Sequence, residues 1–204
     1  MMEDRIKSAI EIAMEKAAQL GNLTPEEERR MKWVPEGERL VARYLDGEGD
    51  LAEALRSVDR SSVSYALRGA LAILLRKLVL PRDKAAIVLN RRILDALRVL
   101  CQDRKTLDVL VKRVGYVEEQ YTNYGRQQLE TSYEALKQQV TSQIQQRLRQ
   151  QGMVGTAHVN VESMPEFQSQ LMAMVAKLEQ PYEQNLEGLR EQLRELVLAK
   201  PAFR

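Results

Sequence analysis

Residues 110–148 read LVKRVGYVEEQYTNYGRQQLETSYEALKQQVTSQIQQRL. Leu110, Val114, Val117, Tyr121 and Tyr124 follow one another at steps of four, three, four and three, which is the spacing of a heptad seam. After Gly125 the stripe shifts, then resumes through Leu129, Tyr133, Leu136, Val140, Ile144 and Leu148. Its later steps of four loosen the period toward eleven residues, which weakens supercoiling. Glutamines crowd residues 119–151, as suits a solvated helix, because straight-chain side chains lose little rotamer freedom there. Unbroken, 104–151 would be a rod on the order of 70 Å long.

A second stripe follows: Phe167, Leu171, Met174, Leu178, Tyr182, Leu186, Leu189, Leu193 and Leu196. Ser163 and Glu166 have the spacing of a capping box at its start, and Pro181 inside it predicts a kink. Two long amphipathic segments joined by a short connection read as an antiparallel helical hairpin, coiled-coil-like in its packing. Gly152 and Gly155 let the chain reverse. The connection, 152–163, also holds the single histidine, His158, and valines that alternate with polar neighbours at strand spacing: Val154, Val159 and Val161. They either cover the end of the hairpin or offer an apolar tip to a partner.

Working back toward the start, shorter helices are expected. The first covers 3–20, with Ile6, Ile10, Ala13, Met14 and Ala17 at helical spacing and Gly21 as its stop. Thr24, Pro25 and Glu27 make a capping box for a second helix, which Pro35 should end near Trp33. A third spans 36–46, DGEGD (46–50) turns, and Asp50 with Glu53 opens a short helix to Val58. Ser61 or Ser62 caps an apolar helix to Leu80, stopped by Pro81, and 83–101 follows. The expected fold is therefore all-α, with an N-terminal bundle of short helices over 1–102 and the hairpin over 103–204.

Composition narrows the work such a chain can do. The formal charge is only +2, but residues 76–113 carry 11 basic and 4 acidic side chains, hence +7, against 10 basic and 14 acidic, hence −4, over 1–60. A basic patch of Arg91, Arg92, Arg98, Arg104 and Lys105 could follow a phosphate backbone. Against that, no aromatic stacking group lies between 76 and 113, and acids nearby balance the charge. One cysteine, Cys101, forms no disulfide within the chain. The opening MMEDRIKSAIE has acids where a signal peptide has bases. The most apolar run, ALRGALAILLRKLVL (66–80), is broken by Arg68, Arg76 and Lys77 and falls short of the roughly 20 residues a membrane span needs. A cytoplasmic protein without membrane contact is expected.

No catalytic constellation stands out. One histidine and one cysteine cannot build a multi-ligand zinc site, and no phosphate loop or dinucleotide fingerprint is present. Tyr133 and Lys137 have the spacing of the short-chain dehydrogenase pair but lack a preceding nucleotide-binding strand. His158, without ligand partners, reads as a loop residue rather than a proton-linked switch. No cofactor and no metal is implied. The expectation is a non-enzymatic interaction or assembly protein, working as a homo-oligomer or with another helical protein. Nucleic-acid or anionic-ligand binding through 76–113 is the alternative.

The stretches KAAQLGNLTPEEERRMKWVPEGERLVARYL (16–45) and GMVGTAHVNV (152–161) resemble a bacterial family of uncharacterised all-helical proteins of unknown function. That resemblance implies an all-helical fold and brings no functional residues with it.

Overall fold

A computed structural model describes residues 23–150 and 160–203. The expected helix 3–20, the turn glycines Gly152 and Gly155, and Val154, His158 and Val159 lie outside the described residues. Helices are α1 (Pro25–Asp46), α2 (Leu51–Arg56), α3 (Val63–Lys77), α4 (Lys84–Leu100), α5 (Arg104–Gln120), α6 (Arg126–Gln150) and α7 (Pro165–Ala199). A π turn, Tyr121–Gly125, joins α5 to α6 without a break, and a 3-10 turn, Val161–Ser163, leads into α7. No strand occurs among the described residues. The chain packs as two compact units, one of 23–74 with 201–203 and the other of 75–200. The division falls at 74/75 rather than at 102/103, because α4 pairs with α5 through Asn90–Glu118 (2.6 Å) and Arg98–Asp108 (3.5 Å).

In the first unit, α1 begins as the sequence predicts. The Thr24 hydroxyl accepts the Glu27 N–H while the Glu27 carboxylate takes the Thr24 N–H, with Pro25 in the first turn. It does not end near Trp33. The chain stays helical through Pro35, so the two helices expected over 24–33 and 36–46 are one. Proline takes the donor from the Met31 carbonyl and normally costs about 3 kcal/mol inside a helix. Tertiary packing overrides that rule here. A Cβ on Gly37 would lie 1.8 Å from the Ala66 oxygen, and one on Gly69 2.0 Å from the Val34 oxygen. The backbones of α1 and α3 therefore touch on both sides of Pro35, and Val41, Leu45, Leu67, Ala70 and Leu71 are buried. Asp50 caps α2 through the Glu53 N–H, and Gly47 (φ 93°) takes the left-handed geometry that ends α1. Ahead of α3, the Asp59 carboxylate accepts the Ser61 N–H and hydroxyl, a role expected of the serines themselves. This helix stops at Lys77, and Leu78–Leu80 continue as non-helical chain.

In the second unit, α5, the π turn and α6 run antiparallel to α7. Successive contacts are Asp103–Lys200 (2.6 Å), Arg113–Gln192 (2.7 Å), Tyr121–Glu179 (2.6 Å), the edge-on Tyr133–Phe167 rings (5.9 Å) and Lys137–Glu162 (2.6 Å). At the base, the Lys200 hydrogen bond holds the Asp103 carboxyl down at about 2. The helix α7 continues through Pro181. Its start departs from expectation, since Ser163 does not cap it. Met164 is the cap residue, extended at ψ 131°, and the Ser163 hydroxyl donates to the Asn160 carbonyl. Pro165 is the cause, because the residue before a proline is pushed out of helical geometry. In α1 the proline directly follows Thr24, so both rules agree; here it stands two residues beyond Ser163 and they conflict.

Tyr124 also departs from its heptad place. In the π turn the Arg126 N–H reaches back to the Tyr121 carbonyl, which inserts one extra residue. Gly125 therefore takes the buried position and Tyr124 is left 62% exposed.

Candidate functional site

Glu179 is the one buried carboxylate among the described residues, 5% exposed in the core of the second unit. Its position follows from the repeat. Leu193, Leu186 and Glu179 stand seven residues apart on α7, as Leu107, Val114 and Tyr121 do on the opposing arm. The third layer of an apolar seam is thus a carboxylate facing a phenol. Tyr121 donates to Glu179 at 2.6 Å, and Arg82 donates through Nε (3.0 Å) and its terminal nitrogen (2.5 Å). Burial alone would raise the Glu179 carboxyl, but the Arg82 and Tyr121 hydrogen bonds outweigh it and hold it below its ordinary value. Burial, together with the Glu179 hydrogen bond, pushes the Tyr121 phenol up to about 12. Gly125 leaves room for Tyr182, whose ring meets Tyr121 edge-on at 5.5 Å.

The segment carrying Arg82 is held by two further side chains. The Asn90 amide pairs with both backbone groups of Val79, donating to its carbonyl at 2.7 Å and accepting its N–H at 3.3 Å. Arg190 donates twice to the Leu78 carbonyl, at 3.0 and 2.6 Å. Behind Asn90, burial raises the Glu118 carboxyl against the Asn90 hydrogen bond and the Arg91 charge. Non-helical chain lacks the full ladder of backbone partners, so polar side chains supply the missing ones where it is buried. A slip of the α5–α7 register would strand the Glu179 charge away from water, so this layer also enforces alignment.

Tyr121 and Tyr182 stood on the apolar stripes, but Glu179, Asn90, Arg190 and Glu118 did not stand out in the sequence. The available signal was a charged or amide side chain at an apolar phase: Glu179 in line with Leu186 and Leu193, and Asn90 in line with Leu94, Leu97 and Cys101.

The residues that did stand out are dispersed. Val161 is 4% exposed and packs with Val140 and Phe167, so it covers the end of the hairpin instead of standing out as a tip. Arg91 and Arg92 are exposed on α4, while Arg98 is bound to Asp95 (2.8 Å) and Asp108 (3.5 Å). Arg104 and Lys105 stand exposed at the start of α5. Tyr133 and Lys137 both donate to Glu162, which ties that pair to the hairpin end. Cys101 is buried, and burial raises its thiol. In the first unit an open cleft of about 320 Å³ is lined by Arg43, Glu48, Asp50, Glu53 and Ser57. Two of its three acids are already engaged, Glu48 with Arg43 and Asp50 with the α2 N-terminus. Among the described residues no group of three His, Cys, Asp or Glu side chains could hold a metal ion, and no helix is long and apolar enough to cross a membrane.

Fold and site together define an all-helical protein built on a long antiparallel helical pair with a buried polar layer. The chain belongs to the DUF6657 family, a family of unknown function whose model matches residues 52–195, from α2 to near the end of α7. The match takes in the resembling stretch 152–161 and leaves out 16–45. No curated protein and no solved structure matches the chain.

Proposed function

We propose that this is a non-enzymatic interaction or assembly protein of the cytoplasm, acting through the outer half of its long helical pair. The observation that carries the reading is the incomplete burial of that half. Over all of α6 only Val140 is buried. Leu129, Leu136, Ile144, Leu148, Leu171, Met174 and Leu178 are left half-buried. Two helices cover only part of each other's apolar stripes, and further helices from a second copy or another helical protein would complete the seam. The alternative, nucleic-acid binding through 76–113, has less support, because Arg98 is already spent on two carboxylates.

The test compares the wild type with Leu129→Lys/Leu148→Lys in affinity capture and sedimentation velocity. The wild type is expected to retain a helical partner, or to sediment as a larger assembly than the double variant, whose circular dichroism should be unchanged. A wild type that captures nothing and sediments no faster than the double variant throughout the micromolar range removes the proposal.

A further inference from the structure

A second unpartnered face lies on α5, away from the outer seam. The buried side of α5 is Leu107, Leu110, Val114 and Val117. Val109, Lys112, Tyr116 and Glu119 repeat the same spacing two residues later, which places them on the opposite side of the helix. Val109 is 58% and Tyr116 62% exposed, and the π turn rotates Tyr124, also 62% exposed, onto this stripe. Most large apolar side chains elsewhere in the second unit are at least half-buried, so three on one stripe of one helix form a patch. Lys112 and Glu119 are exposed and have no ion-pair partner among the described residues.

Beside Tyr116 stands Gly115, in mid-helix, with nothing within 4 Å of where a Cβ would be. Glycine is the worst helix-interior residue after proline. Gly37 and Gly69 occupy helices where another backbone passes within contact, and Gly125 makes room for two tyrosine rings, while Gly188 on α7 is open like Gly115 but has no exposed aromatic beside it. Gly115 has no such occupant.

We propose that a second copy of this chain docks here, α5 against α5, antiparallel about a two-fold axis at Gly115 and Tyr116. An isologous contact requires a self-complementary surface, and this stripe is one. Setting Tyr116 of each copy over Gly115 of the other places Lys112 opposite Glu119, and the symmetry makes that ion pair twice. The same register brings Val109 of each copy to within about one residue of the level of Tyr124 of the other, the π turn having absorbed a residue. Aromatic anchors at the centre with charge pairs outside them are the usual anatomy of a specific interface. The proposal is independent of the outer seam, which lies beyond the π turn.

The experiment is a charge swap read by sedimentation velocity. It is done on the full chain carrying Leu129→Lys/Leu148→Lys, so that the outer seam cannot contribute. A dimer is expected in this background. Lys112→Glu and Glu119→Lys singly should each raise the dimer dissociation constant by roughly tenfold, since symmetry breaks each pair twice and sets like charges together. The combined Lys112→Glu/Glu119→Lys variant restores the pairs with reversed sign and should recover the original constant. Recovery cannot come from a misfolded chain, and thermal melts of each single variant provide a second control on folding. A monomer in this background overturns the proposal even where the wild type assembles through its outer seam. A dimer indifferent to the single changes, or one that the double change fails to restore, overturns it as well.

Discussion

Below the Tyr121–Glu179 layer, the paired helices bury Leu107, Leu110, Val114, Val117, Leu186, Leu189, Leu193 and Val197. Above it, the large apolar side chains buried among the described residues are Val140 and Phe167 on the arms and Val161 in the 3-10 turn. The two stretches have similar apolar periods, so the stripe does not account for the difference. What differs is the number of helices. The helix α4 lies along the lower half and meets α5 at both Asn90–Glu118 and Arg98–Asp108, whereas above the π turn, among the described residues, the arms pack on each other and on the 3-10 turn. An apolar stripe states where a helix would like to be covered; neighbours decide whether it is.

The largest test of that contrast is Leu193→Ala. Leu193 is fully buried, and its removal is expected to cost about 3 kcal/mol in denaturant unfolding through lost burial and a cavity. Next comes the layer that divides the halves. Arg82→Ala leaves Glu179 buried with Tyr121 as its remaining partner, and about 1–2 kcal/mol is expected. That is below the cost of breaking a fully buried pair, because the Arg82 side chain is itself 61% exposed and screened by water. If Arg82→Ala were neutral, the layer would not be a stabilising latch.

Changing pH probes the same layer from both ends. Glu179 has a folded value below its ordinary one, so its contribution is present above about pH 4.5 and is lost as pH falls through the folded value. Tyr121 is raised from 10.0 to about 12, so its contribution is present below 10 and declines as pH climbs between those values. In Tyr121→Phe the alkaline decline attributable to this group should vanish from denaturation curves measured across that range. The smallest effect is expected at Leu129→Ala in the upper half. A half-covered side chain has little burial to lose, and under about 1 kcal/mol should separate it from the wild type. An equal cost at Leu129 and Leu193 would erase the distinction between the halves.

Much of the helical layout could be read from local chemistry. Thr24–Glu27 and Asp50–Glu53 cap the helices assigned to them, and the stripes of α5 and α7 do face each other. The misreadings came where two local rules met or a distant group intervened. At Ser163 the capping pattern lost to Pro165 two residues on. At Pro35 the breaker rule lost to the contacts of Val34 and Gly37 with α3. Tyr124 kept its heptad spacing but lost its place to Gly125, because the π turn adds a residue that spacing does not reveal. The Arg82–Glu179 pair spans 97 residues, and nothing near either one names the other.

Local sequence was enough to determined that this chain would be helical, that its second half would pair as long amphipathic arms, and where several helices begin. Caps, prolines and apolar periods act within one or two turns, over distances that neighbouring residues set. Tertiary structure alone decided that α1 would cross its proline, that a carboxylate would sit inside the seam, and which half of the seam would be covered. Those outcomes depend on groups far apart in the chain, and they become favourable only when packing brings backbone to backbone and charge to charge.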